Sequence, residues 1–349
     1  MKTEILQIDR NNVDIDKIKY AAYVLKSGGI VVFPTETVYG LGANGLLEDA
    51  VNKVFVAKGR PADNPLILHV ASELEIRDLV SYIPDFSKKL IAEFWPGPLT
   101  LIFKKSTIVP NIITAGLDTV AIRMPSDTIA NLLIKEAGVP IAAPSANISG
   151  RPSGTDAKHV IEDLSGKVDL ILDAGDSKVG LESTVLDVTV NPPILLRPGA
   201  VTPEQITEVT GDIIIDRVES IGLNKGVPRS PGMKYKHYSP KADVHVINGE
   251  LSAVKEKICK MHLYFQDQGL KVGVLATKQT IKSYQLTNTI SMGDRNNPAT
   301  IANSLFRCLR DLDEKQVDII LVEAVDDCGI GFAIMNRLIK ASGNKIINV

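Results

Sequence analysis

Over the first two hundred residues, short β-branched apolar runs alternate with stretches whose apolar positions recur at helical spacing. The runs GGIVVFP (28–34), PLILHV (65–70), PLTLIFKK (98–105), TVAIRMP (119–125), VPIAAP (139–144) and VDLILDAG (168–175) predict strands. LEDAVNKVFVAKG (47–59) places Ala50, Val54 and Ala57 on one face and a glycine near its end, which predicts a helix. Helical spacing also occupies 84–94, 126–137 and 155–165. STVLDVTVNPPILLRPG (183–199) predicts a hairpin, because Asn-Pro-Pro separates two apolar alternations. Alternating strands and helices with one hairpin imply an α/β fold built on a twisted mixed sheet.

The rhythm weakens over 211–242, where SPGMKYKHYSP (230–240) carries proline near both ends and no hydrophobic period. It restarts with ADVHVIN, KVGVLAT, TNTISMG, VDIILVEAV and KIINV, separated by helical segments. One of these, 298–315, has Pro298 at its start after two asparagines able to cap it. This second unit predicts a small, Rossmann-like doubly wound parallel sheet, although no G-x-G-x-x-G turn follows its first strand. The expected organisation is a first α/β domain at 1–210, a linker at 211–242 and a C-terminal α/β domain at 243–349.

Composition narrows the function classes. A net charge of −2 argues against a protein that mainly coats nucleic acid, since such binding rests on phosphate neutralisation. Three widely separated cysteines, Cys259, Cys308 and Cys328, have no zinc-site spacing and suit a reducing compartment. The N-terminus has no apolar segment of signal-peptide type, and no apolar run is long enough to span a bilayer. A soluble, cytoplasmic protein is expected.

Candidate chemistry gathers in six stretches. AKGRPADNPLILHV (57–70) sets Lys58 and Arg60 on a turn stiffened by Pro61 and Pro65. Such a turn suits phosphate, although it can equally be a solvated basic helix end. FPTETVYGLGAN (33–44) offers hydroxyls at Thr35 and Thr37 and close backbone approach at Gly40 and Gly42. PIAAPSANISGRPSGT (140–155) ends a strand in small hydroxyl and amide side chains able to bond phosphate or ribose, or to make a long polar connection. In TAGLDTVAIRMP (114–125), Arg123 lies on an otherwise apolar strand and needs a partner, either a structural carboxylate or a substrate one. Ser183 opens the hairpin and Arg197 closes it. In the linker, Lys234, Lys236 and His237 alternate with Tyr235 and Tyr238, a pattern that fits base stacking or a plain tether. The chain has no Walker loop, no H-E-x-x-H and no carboxylate cluster. The site is therefore expected to work by positioning and electrostatics.

FPTETVYGLG, AKGRPADNPL, WPGPLT, PSAN and the later EST together resemble the YrdC-like domain. With the SPGMKYKHYSP linker and the C-terminal α/β unit, nearly the whole chain resembles the long-form threonylcarbamoyl-AMP synthase family. The resemblance implies that L-threonine, bicarbonate and ATP are joined into threonylcarbamoyl-adenylate with release of pyrophosphate. The product would serve modification of the adenosine beside the anticodon in certain transfer RNAs. Lys58 and Arg60 would be catalytic and, with Ser145 and Asn147, would form the nucleotide and phosphate site. Asn64, Thr119, Ser153 and Arg197 would lie around ATP, and Tyr235, His237 and Tyr238 would be lid contacts. Thr35, Thr37, His69, Arg123, Ala143 and Ser183 would hold threonine. Mg2+ is expected to arrive with ATP, its ligands phosphate and water. A transient contact with the downstream threonylcarbamoyl transferase is conceivable; neither membrane nor stable nucleic-acid binding is expected. Two other classes stay open on the sequence alone: an RNA-binding module, and a nucleotide sensor whose C-terminal domain signals to a partner.

Overall fold

The computed structural model describes residues 2–216, 228–229 and 238–349. These form two compact units. The first comprises the described residues up to Ser149 and from Ser153 to Arg229. The second comprises Gly150–Pro152 and the described residues from Tyr238 to Val349.

The first unit is built on one mixed sheet. Its strands are β1 (Glu4–Gln7), β2 (Val31–Phe33), β3 (Gly40–Asn44), β4 (Ile67–His69), β5 (Leu99–Lys104), β6 (Thr119–Arg123), β7 (Ile141–Ala142), β8 (Leu170–Asp173), β9 (Thr184–Asp187), β10 (Ile194–Arg197) and β11 (Ile214–Ile215). Their spatial order is β1-β8-β2-β3-β7-β4-β6-β5-β9-β10-β11. Side-chain alternation along the strands builds a core on each face. Val31, Phe33, Leu170 and Leu172 pack on Ile18, Ala22 and Leu25 of the helix Ile15–Lys26 and on Leu133 and Ala137 of the helix Thr128–Ala137. Val32 and Ile171 face the other way, onto Ala50, Val54 and Ala57 of the helix Glu48–Lys58 and onto Val160 and Leu164.

Local chemistry sets the helix ends. Gly59 closes the helix Glu48–Lys58 with φ 59°, a left-handed conformation that costs glycine little. Asp127 caps the helix Thr128–Ala137 by accepting from the Ile129 and Ala130 amides. Thr202 and Gln205 form a reciprocal capping box ahead of Pro203–Thr210.

The predicted hairpin is present as antiparallel β9 and β10, with a register shift between Leu195 and Arg197. Two strands escape the hydrophobic pattern. β1 is an exposed edge, and β3 runs through GLGAN, which reads as a loop because of its glycines. β3 nevertheless pairs antiparallel with both β2 and β7. A Cβ at Gly42 would stand 2.7 Å from the Phe33 ring and 2.8 Å from Ile141, so the glycine marks a tight approach inside a strand.

The second unit carries β12 (Asp243–Asn248), β13 (Val272–Ala276), β14 (Thr289–Ser291), β15 (Ile319–Glu323) and β16 (Ile346–Asn348). They lie in the order β14-β13-β15-β12-β16 with every pairing parallel. The helices Leu251–Asp267, Pro298–Glu314 and Ile330–Ala341 connect them. Pro298 occupies the first helical turn as expected, but the Asn297 side chain makes no capping bond. The expected linker also yields ground at its start, because Ile214–Ile215 adds to the edge of the first sheet, parallel to β10.

Candidate active site

The strand register assembles the centre of the site. His69 of β4 stands opposite Arg123 of β6, and Arg123 stands opposite Thr100 of β5. Paired residues on neighbouring strands share a face, so the three side chains form one row across the sheet. Thr100 then reaches Ser183, with the two hydroxyl oxygens 2.7 Å apart. Every member of this row is buried.

The loop from β2 to β3 brings Thr35, Glu36 and Thr37 over the Arg123 guanidinium. Nη1 donates to the Thr37 hydroxyl at 2.8 Å, Nε donates to the Gly97 carbonyl at 3.3 Å, and Nη2 lies 2.7 Å from Glu36 Oε1. The Thr35 hydroxyl donates to the Val38 carbonyl at 2.6 Å. Its only proton is thereby used, so in the 2.8 Å contact between the two threonines it is Thr37 that donates. Arg123, Thr37, Thr35 and the Val38 carbonyl therefore form a directed hydrogen-bond chain.

Electrostatics follow from burial and these pairings. Burial alone would raise the Glu36 carboxyl, but the Arg123 charge, with the backbone dipoles of Glu36 and Ser126, outweighs it and the pKa is lowered. His69 is pushed down to about 3, chiefly by burial and further by the neighbouring Arg123 charge. Its imidazole is neutral at physiological pH and packs edge-on to Phe33, with ring centroids 6.3 Å apart.

Lys58 differs from its sequence expectation. It does not stand on an open turn: only 2% of it is exposed. Its ammonium donates to the Asn147 carbonyl at 2.6 Å and to the Ser145 carbonyl, while its own carbonyl accepts from the Ser149 amide at 2.9 Å. The last residue of the helix Glu48–Lys58 thus grips the P-S-A-N loop from below. Within that loop Ser145 Oγ donates to Asn147 Oδ1 at 2.6 Å, and Asn147 Nδ2 donates to the Ile148 carbonyl at 2.8 Å. Arg60 folds over its own turn, donating to the Asn64 and Pro65 carbonyls at 3.2 and 3.0 Å. The Asn64 side chain is buried within that turn.

The remaining sequence candidates occupy varied places. Arg197 turns onto Ser183, donating to its carbonyl at 2.9 and 3.1 Å and to its hydroxyl at 3.2 Å, so it props the end of the buried row directly. Ser153 Oγ donates to the Glu182 carboxylate. Ala143 follows β7, its amide bonded to the Ile67 carbonyl at 3.0 Å. Thr119 begins β6, four residues from Arg123 and so roughly 13 Å away along the strand. Tyr238 is a member of the second unit, with its ring stacked on Phe306 at 5.2 Å and Arg337 over it at 5.4 Å. In this structure that ring is part of a packed core instead of an open lid. Tyr235 and His237 lie outside the described residues.

Glu36, Glu182 and Thr100 are site residues that the sequence reading passed over. Glu36 lies within FPTETVYGLGAN, and its signal is in the sequence, because a buried arginine on an apolar strand needs a carboxylate.

Comparison with known proteins identifies the family. A family described as Telomere recombination (Sua5_yciO_yrdC) matches residues 23–199, and the threonylcarbamoyl-AMP synthase C-terminal domain matches residues 201–343. The chain belongs to the threonylcarbamoyl-AMP synthase family. It is 49% identical to the Pyrococcus abyssi threonylcarbamoyl-AMP synthase over 97% of this chain and 98% of that one. The Bacillus subtilis threonylcarbamoyl-AMP synthase is 46% identical over 97% and 96% of the two chains. The crystal structure of P. abyssi Sua5 complexed with L-threonine superposes with a TM-score of 0.94 at 47% identity, covering all of both chains.

Proposed function

We infer that the chain is an L-threonylcarbamoyladenylate synthase, a nucleotidyltransferase that joins L-threonine, bicarbonate and ATP into threonylcarbamoyl-AMP and releases pyrophosphate. The product supplies threonylcarbamoylation of the adenosine beside the anticodon in transfer RNA. The observation that carries this reading is the buried row of His69, Arg123 and Thr100, with Arg123 held against Thr37 and Glu36. It is a buried cation among hydroxyls, a pairing whose chemistry suits a small hydroxylated carboxylate.

The chemistry needs two bond-forming steps. The neutral threonine amine adds to bicarbonate with loss of water, giving a carbamate. A carbamate oxygen then attacks the α-phosphorus of ATP, and pyrophosphate leaves. Arg123 binds the threonine carboxylate, while Thr35, Thr37, Ser183 and the Ala143 backbone border the rest of the threonine molecule. Neutral His69 serves as a wall and a hydrogen-bonding group, not as a charge. The loop gripped by Lys58 presents Ser145 and Asn147 to the nucleotide, while Lys58 and Arg60 supply positive potential for the phosphates. Asn64, Thr119, Ser153 and Arg197 complete the ATP side. Holding three anions in line contributes the larger part of the rate.

Among the described residues no group of three or more His, Cys, Asp or Glu side chains could hold a metal ion. A magnesium ion therefore fits best as a passenger on the ATP phosphates, which neutralises charge the protein would otherwise have to meet alone. No helix among the described residues is long and apolar enough to cross a membrane. The reading sets the reaction in the cytoplasm, where ATP and free threonine are available. It includes a passing contact with the downstream transferase and no stable nucleic-acid complex.

The test is pyrophosphate release from purified protein with ATP and magnesium, adding threonine and bicarbonate singly and together. Release only with both is expected. ATP binding without release under any combination would overturn the assignment.

A further inference from the structure

Glu36 is not accounted for by the roles above. It is 6% exposed, and Arg123, its ion-pair partner, is 4% exposed. A buried ion pair is by itself weak evidence of a stabilising role, because desolvation offsets most of the attraction. Carboxylates buried for structural reasons are surrounded by donors. The Glu36 and Ser126 amides lie near enough to Glu36 to help lower its pKa, but neither Glu36 oxygen has a well-directed donor among the described residues, and the Arg123 nitrogen facing it has no well-directed acceptor. The contact at 2.7 Å is a pairing of charges with unused hydrogen-bonding capacity on both sides.

That arrangement has a natural complement. An α-amino acid carries its ammonium and its carboxylate on one carbon, so it presents a positive and a negative group side by side. A cation and an anion in contact, both buried and both with free capacity, form the reversed image of that pair. We propose that Glu36 and Arg123 together read the amino-acid zwitterion, with Glu36 receiving the ammonium while Arg123 receives the carboxylate. This rests on the assignment of threonine to the Arg123 pocket. Glu36 then becomes a substrate-binding residue that selects α-amino acids over simple hydroxy acids. It also fixes the nitrogen in place before carbamate formation. The amine's proton must still leave to solvent or bicarbonate, because a carboxylate beside an arginine is too weak a base to keep it.

The geometry also accounts for the neighbours. His69, buried and neutral, adds no third charge to disturb the match. Thr37 already donates to Thr35, so its oxygen offers a lone pair to an incoming N–H.

The experiment is calorimetric titration of the full chain, with and without ATP, using L-threonine, its deamino analogue 3-hydroxybutyrate, and threonine methyl ester. Wild type, Glu36→Gln and Glu36→Asp are compared. Wild type is expected to bind threonine at least tenfold tighter than 3-hydroxybutyrate. Glu36→Gln is expected to lose tenfold or more for threonine and for the ester, while 3-hydroxybutyrate binds as well as before or better. Glu36→Asp should recover most of the threonine affinity. Equal weakening of threonine and 3-hydroxybutyrate in Glu36→Gln would reduce Glu36 to a structural partner of Arg123 and overturn the proposal. So would unchanged threonine affinity. Failure of wild type to bind threonine is a different result, which overturns the functional reading and this inference with it. Thermal melting of each variant separates these outcomes from misfolding, and Glu36→Asp keeps the test available if Glu36→Gln does not fold.

Discussion

Each unit buries a glutamate beside an arginine, and the two are built differently. Glu323, at the end of β15, is fully buried and saturated. It accepts from the Thr277 amide and hydroxyl, each at 2.9 Å, and from the Tyr284 hydroxyl at 2.7 Å, with Arg295 3.6 Å away. Glu36 has Arg123 and no well-directed donor. Burial and an arginine partner are common to both, so neither distinguishes a structural carboxylate from a functional one. The distinction lies in whether the hydrogen-bonding capacity of the group has been used up.

The sharpest break of this comparison is on the functional side. Arg123→Ala removes the cation that both Glu36 and the substrate need. Truncating one partner of a buried hydrogen-bonded charge pair costs several kcal/mol, so kcat/KM for threonine should fall roughly 30- to 1,000-fold. Steady-state pyrophosphate release measures this, and retained ATP binding shows that the fold survives. On the structural side, Glu323→Ala strands four polar groups in the second unit and should cost about 3 to 5 kcal/mol. Hydrogen exchange along β13 and β15 would report that loss. The threonine KM of the folded fraction should not change.

A smaller effect separates the sites by pH. His69 titrates at about 3 in the folded state and near 6.5 when unfolded. Above 6.5 both states are neutral there and nothing is lost. As pH falls below 6.5, the unfolded chain takes up a proton that the folded chain refuses. Stability then drops by up to about 1.4 kcal/mol per pH unit until about pH 3. Denaturant midpoints of wild type and His69→Gln, compared at pH 7.5 and 5.5, should diverge accordingly. The smallest effect is Tyr284→Phe, which removes one donor to Glu323. It should cost about 1 kcal/mol in the second unit and leave threonine kinetics unchanged.

Much of the fold was legible because its determinants are local. Val31, Phe33, Leu170 and Leu172 announce strands by composition, and Gly59 marks a helix end by its own conformation. β3 was not legible, since its glycines are required by the Phe33 ring, a neighbour on another strand. The site divides in the same way. Residue types such as Lys58, Arg123 and the threonines could be picked out from the chain. The burial of Lys58 under the Ser145 and Asn147 carbonyls could not, because it depends on a loop almost ninety residues away. The pairing of Glu36 with Arg123 spans a similar distance and was missed although each residue lay in a stretch already singled out.

The chain of hydroxyls beside Arg123 has a polarity, much as a ratchet has one permitted direction. The Thr35 proton is committed to Val38, the Thr37 proton to Thr35, and the Arg123 N–H to Thr37. Whatever settles against Thr37 finds no proton on offer and has to bring one. An amino group can do so and a carboxylate cannot, so this short relay dictates which end of an incoming molecule goes in first.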